Sequence, residues 1–453
     1  MNEQVQQYFD RMYNVEENLL VYVGECNQDI NTFFNYLDEQ EITENKSKLK
    51  SFLYLIVQLS NNYHRTSDLY TKIDQILAHL KASIQKHFQN SEIFHIFNSN
   101  KRVLFFLVQQ KILTIDQGIV DCFIQPKFLK KSYIEYFFPE VEPFLQESFK
   151  NKVKQSDKDS LDLFNEKRQI GENDSNICSL IRNDQLDDFI AYLEKNNISL
   201  SSVIGSSIYE TNQLLLNKEE KVSLIEYSAY FGAQQIFVYL HKQNVDMTSD
   251  IWPYVIHGKS ADLIHLLEEN HIQTKSNSYQ YLIVEAIKCH HNDIANYFKT
   301  NFCQKEYLYN RYLLKKHFKY YNFIFKIYSR DIIYNSVRSD LFYYLCKYDY
   351  DFVVEALLSL KEVNVNKQYK IYKPNRKQKD MVLSMAIKNG DINKIPKEKE
   401  RERFYIRRHK EEPENLEYKD ANNYYIYNYD LEIITPLSVA ARKGNIDIIK
   451  LLV

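Results

Sequence analysis

The last nineteen residues, TPLSVAARKGNIDIIKLLV (435–453), leave a chain few ways to fold. Thr435 before Pro436 is a helix start: a hydroxyl that caps backbone N–H groups, then a proline where no donor is lost. Leu437, Ala440 and Ala441 fall on one helical face, and the paired alanines let a neighbouring helix come close. Gly444 supplies the left-handed residue that stops the helix. Ile448, Ile449, Leu451 and Leu452 then form the buried stripe of a second helix. Two helices this short cannot cover their own apolar faces, so the phrase demands stacked copies of itself.

Such copies can be found. With Gly444 as the anchor, the pattern asks for apolar residues four, five and eight positions on and a compact residue three or four before. SLIEYSAYFGAQQIFVYL meets it around Gly232, with Ala229, Ile236, Phe237 and Leu240. LSMAIKNGDINKI meets it around Gly390, with Ala386 and Ile392. Weaker copies anchor at Asp184, Lys259, His290, Tyr320 and Asp349. From Gly232 to Asp349 the anchors follow at intervals of 27 to 31 residues, the period of a helical-hairpin array.

The closing phrase resembles the ankyrin repeat, T-P-L-H-x-A-A-x-x-G-x-x-x-I-V-x-L-L, and departs from it at Ser438, where the family usually has histidine. The blurred copies are similar to the divergent ankyrin arrays of lineage-expanded families in unicellular eukaryotes, in which an N-terminal domain of unknown function precedes the repeats. The resemblance covers about residues 177–453. It implies an all-α protein, a helical N-terminal domain followed by a degenerate solenoid, that serves protein–protein interaction as a non-enzymatic adaptor or scaffold.

In such arrays first-helix residues near the turn line the concave face, where partners dock. Two positions before the anchors stand Arg182, Tyr230, His257, Lys288, Phe318, Lys347, Lys388 and Arg442, and five before stand Tyr227, Tyr254 and Tyr344 among others. Tyr227, Tyr230, Tyr254, His257, Lys288, Lys347, Lys388 and Arg442 are therefore the expected partner-binding residues, a cationic and tyrosine-rich ladder suited to an acidic protein segment. A second reading stays open: cations stand before a turn simply because they favour a helix C-terminus.

The expected layout is a helical domain over 1–150, a polar linker over 151–176 and divergent repeats over 177–395. A charged, Tyr- and Asn-rich insertion follows over 396–430, then the regular repeat at 431–453. IFHIFNSNKRVLFFLVQQKILTID, within the first domain, has the same hairpin grammar, with its polar turn at Asn98–Asn100. Val453 leaves the last apolar helix bare, so the chain is expected to be a fragment of a longer protein or to be capped by another surface.

With only 8 glycines, no phosphate-cradling loop or nucleophile elbow is spelled out, and no HExxH or EF-hand occurs. His290-His291-x-Asp293 is read as a structural turn; no catalytic residue, cofactor or metal site is expected. The rival reading is an enzyme whose unrecognised site lies in the N-terminal domain, with the repeats recruiting substrate; a polar cluster in a deep N-terminal pocket would mark it. The balance of 58 basic against 60 acidic residues counts against nucleic acid as a partner. No apolar run is long enough for membrane insertion. Six cysteines with no CxxC pair suggest reduced thiols and a cytoplasmic or nuclear protein. Nothing in the sequence fixes the partner's identity or the oligomeric state.

Overall fold

A computed structural model describes residues 3–24, 29–124, 131–147, 160–216, 221–274, 279–302, 307–323, 342–359, 363–374 and 429–453, and the chain is mostly helical. The N-terminal region holds α1 (Glu3–Gly24), α2 (Ile30–Glu39), α3 (Lys46–Asn62), α4 (Leu69–His79), α5 (Lys81–His87), α6 (Asn90–Phe97), α7 (Lys101–Gln109), α8 (Gln117–Ile124), α9 (Lys131–Tyr136) and α10 (Phe138–Val141). Along α1, Val5, Tyr8, Phe9, Met12, Val15, Leu19 and Val23 recur at helical spacing and are buried. In contrast, α3 is buried almost all round, Lys48 and Lys50 included, because it lies between this domain and the helices that follow. Asn45 and Asn100 accept bonds from Lys48 N and Val103 N and so start α3 and α7, the second of which follows the expected polar turn.

Part of the stretch expected as a linker, residues 161–170, is helical. Residues 148–159 lie outside the described residues, but α11 (Leu161–Ile170) packs on α7 and ends at Gly171 in the left-handed conformation. Its anchor is Arg168, 1% exposed, which bonds Tyr136 O at 2.9 Å and Glu140 at 2.8 Å and lies over the Phe105 ring. A buried guanidinium replaces the apolar stripe that would have made the helix legible.

Helical hairpins follow: α12 (Asn176–Arg182) with α13 (Leu186–Lys195), α14 (Leu224–Phe231) with α15 (Gln234–Lys242), α16 (Trp252–Gly258) with α17 (Ala261–Glu269), and α18 (Gln280–Lys288) with α19 (Asn292–Phe302). After α20 (Tyr307–Tyr320) come α21 (Phe342–Lys347) with α22 (Asp351–Ser359), then α23 (Pro436–Lys443) with α24 (Ile446–Leu452). Contacts among first helices run in order, from α12 to α14, α16, α18, α20, α21 and α23. Asp184, Gly232, Lys259, His290, Asp349 and Gly444, the expected turn anchors, all have positive φ, between 50° and 74°. At the remaining described turn the left-handed residue is Tyr321, one place after the expected Tyr320. The copy at Gly390 lies outside the described residues.

A second regularity links neighbours. The residue after the anchor sends its side chain to a carbonyl three before the anchor of the preceding hairpin: His291 to Ile256 O at 2.8 Å, Asn322 to Ile287 O at 3.1 Å, Tyr350 to Phe318 O at 3.0 Å and Asn445 to Cys346 O at 2.7 Å. These bonds give helix-end carbonyls a side-chain donor from the next hairpin; Ile256 O, Ile287 O and Phe318 O also accept a backbone N–H of their own turn.

The chain is not wholly helical. β1 (Tyr369–Pro374) and β2 (Tyr429–Ile434) pair antiparallel, from Tyr369 opposite Ile434 to Pro374 opposite Tyr429. This ribbon joins the chain on either side of residues 375–428, which lie outside the described residues. In YDLEII, Tyr429, Leu431 and Ile433 alternate with Asp430 and Glu432 as strand residues do.

Candidate functional site: the turn edge of the hairpins

The last turns of the first helices, together with the anchors, form one edge of the array, and the expected ladder lies along it. Over its first half the ladder is not an open surface. Tyr227, Tyr230, Tyr254 and His257 are all buried, and the last is 1% exposed. Arg182 donates to the Tyr227 hydroxyl at 3.0 Å, and Tyr230 stacks on His257 with ring centroids 5.3 Å apart. His257 Nε2 meets Glu285 at 3.0 Å, and Lys288 donates to the same carboxylate oxygen at 2.6 Å. Burial alone would raise the Glu285 carboxyl, but Lys288 and His257 outweigh it and hold it far below the usual range. The cation expected to face a partner at Lys288 is thus consumed inside the fold.

The N-terminal domain covers this edge, and sequence reasoning missed it. Glu16 of α1 meets His290 Nδ1 at 2.7 Å and accepts the backbone N–H of Phe323, while His290 Nε2 meets Tyr320 O at 3.1 Å. Acceptors therefore face both ring nitrogens of His290. The neighbouring histidine faces one acceptor and one ring nitrogen. His291 spends its Nδ1–H on Ile256 O, so its Nε2 accepts from His64 Nδ1 at 3.2 Å. Burial, then Lys259, push His64 down to about 4, and burial, then His64, push His291 well below its ordinary value. Both rings are neutral when docked.

Further along, Lys50 of α3 reaches Asp349 at 2.8 Å, Asp447 at 3.0 Å and Asp351 at 3.3 Å, while Lys46 meets Asp447 at 3.2 Å. Burial raises the Asp349 and Asp351 carboxyls, and Lys50 only partly offsets it. Tyr54 stacks on Tyr321, and Tyr8 on Phe352. His290, Tyr321 and Asp349 are left-handed turn residues, so the N-terminal domain grips the hairpins at their turns.

The later cations of this edge are less buried. Lys347 is half-buried, Arg442 and Lys443 are exposed, and Lys319 is exposed beside Tyr320. Lys388 lies outside the described residues.

Two arrangements could suggest chemistry. His257, Glu285 and Cys289 place ligand atoms within 4.8 Å of one another, the one such trio among the described residues. The Lys288 ammonium already supplies the cation, and burial, then Glu285, raise the Cys289 thiol well above its ordinary value, which disfavours thiolate ligation. A cleft of about 560 Å³ beside α4, α7 and α11 is lined by Thr66, Tyr70, Asp74, Arg102 and Glu172 among others. Its charges are spent on the fold: Arg102 bonds Asp74 and Gln169 O, and Glu172 bonds Arg182 at 2.9 Å. No described helix is long and apolar enough to cross a membrane. No protein-family model, curated protein or solved structure matches the chain.

Proposed function

We propose that the protein is a non-enzymatic adaptor, built as a degenerate ankyrin-like solenoid, that presents the turn edge of its hairpins to a protein partner. The observation that carries the reading is the regular edge itself: successive first helices in contact, each described turn closed by a left-handed residue, and four turns tied to the preceding hairpin by the same side-chain bond. Repeated units of this kind give an extended surface whose side chains vary while its frame does not. The free thiols Cys178, Cys289 and Cys346 are buried, in keeping with an intracellular setting, cytoplasmic or nuclear. Arg102 and Asp74, which line the cleft beside α4, α7 and α11, are bonded to each other, which favours a structural role for them over a catalytic one.

The test is affinity capture with the full-length chain from lysate at low and moderate salt, followed by titration of each retained protein against the purified chain. A retained protein that binds in a saturable, stoichiometric manner supports the reading. If no retained protein saturates at either salt, the adaptor reading fails.

A further inference from the structure

Lys347 stands out among the ladder cations. Its Nζ lies 5.9, 5.7 and 5.5 Å from the ring centroids of Tyr343, Tyr344 and Tyr348. Lys315 lies over Tyr344 at 5.0 Å, and Lys319 lies over Tyr320 at 4.6 Å while donating to its hydroxyl at 3.0 Å. Ring faces thus hold several ammonium groups in place. Burial, then the charges of Lys443, Lys319 and Lys316, lower the Lys347 ammonium below its ordinary value. A helix C-terminus accounts for one cation per hairpin; it does not account for cations of α20, α21 and α23 gathered until they oppose one another.

We infer that the edge formed by the last turns of α20, α21 and α23 binds an extended acidic segment of a partner protein, with carboxylates at every third residue. The assignment rests on the adaptor reading and supplies its partner's chemistry. The spacing follows from the frame. The three helices touch in order, and packed helices lie about 8–10 Å apart. An extended chain advances about 3.3 Å per residue, so about three residues span one hairpin. Carboxylates at i, i+3 and i+6 would each face one hairpin's lysines, at Lys319, Lys347 and Lys443. The tyrosine rings between them offer rigid apolar area to the intervening side chains. A helical ligand repeats its face at about 5.4 Å per turn and falls out of step with the hairpins.

The test uses the full-length chain and fluorescence anisotropy of two synthetic peptides of identical composition, one with aspartates at every third position and one with them in a single block. The spaced peptide should bind about tenfold tighter than the block peptide and weaken with salt. Lys319→Glu/Lys347→Glu/Lys443→Glu should abolish its binding, and Lys347→Gln should weaken it severalfold. Should the triple variant not fold, Lys347→Gln decides, because it removes a repelled charge and leaves the fold intact. Equal binding of the two peptides, indifference to Lys347→Gln, or tighter binding of a single-stranded RNA oligonucleotide would each overturn the assignment. A captured partner that saturates yet ignores Lys347→Gln would keep the adaptor reading and remove this edge from it.

Discussion

The edge from α14 to α18 and the edge from α20 to α23 occupy the same position in a repeated hairpin, yet they hold charge in opposite ways. In the first, Glu285 sits between His257 and Lys288, and each charge has a counter-charge within hydrogen-bond distance. In the second, Lys347 is pressed by Lys316, Lys319 and Lys443. Position in the repeat therefore does not decide a residue's role. Its neighbours do: the N-terminal domain reaches the turns of His290, Tyr321 and Asp349 through Glu16, Tyr54 and Lys50, while Lys319 and Lys443, beside those same turns, stay exposed.

The sharpest way to break this contrast is to remove the lysine that joins α3 to the covered edge. Lys50→Ala would leave Asp349 and Asp351 buried without their cation. An uncompensated buried charge costs about 3–5 kcal/mol, and urea denaturation of the full chain should report a loss of that size. A loss below about 1 kcal/mol would mean that the seam is not a structural joint. The frame itself is tested next. A Cβ at Gly258 would lie 2.2 Å from Ala229 O, because α14 and α16 approach backbone to backbone there. Gly258→Ala should cost about 2–3 kcal/mol, whereas an unchanged denaturation midpoint would contradict the close approach.

A third test uses protons. His64 falls to about 4 when docked, below its ordinary 6.5, so it is neutral in the folded chain. Its contribution is complete above 6.5 and is lost as pH falls from 6.5 towards 4. At about pH 5 the loss from this one ring is about 2 kcal/mol. The charged groups around the pair, Lys259, Asp293 and the Glu16–His290 couple, stay in place in the variant His64→Gln, whose amide can still donate to His291. Stability measured between neutral pH and about pH 5 should fall less steeply in that variant by this amount. Parallel profiles for the two proteins would show that the histidine bond does not join the domains.

The legible part of this architecture was its local grammar. Turn anchors could be found from sequence because each must adopt a left-handed conformation before an apolar stripe, and Asp184, Lys259 and Asp349 were found without a glycine. Tyr321 was missed by one place because its aromatic neighbours blur the stripe. A further signal was present and went unread: the donors His291, Asn322, Tyr350 and Asn445 each follow an anchor. The covering domain was illegible for a different reason. Glu16 and His290, or Lys50 and Asp447, are joined only by the tertiary fold, and no period in the chain connects them. Without that cover in view, buried Tyr230 and exposed Arg442 read alike in the sequence.

The smallest effect sharpens the comparison most. On the covered edge, neutralising Lys288 strips Glu285 of its nearest counter-charge, so Lys288→Gln should destabilise. On the open edge, Lys347→Gln removes a charge that three lysines oppose while its amide keeps most of the stem that packs on the tyrosines. The sign should reverse: a gain of about 0.5 kcal/mol, larger at low salt than at high salt because the repulsion is screened. Both variants lose one lysine from the same position of a hairpin, so composition and repeat geometry cancel between them. If both lose stability alike, Lys347 is a structural cation like Lys288, and the division of the edge into a satisfied half and a binding half fails. If the signs differ, repulsion among the lysines outweighs the ring contacts at Lys347, which is how an electrostatic binding surface registers in the energetics of the free protein.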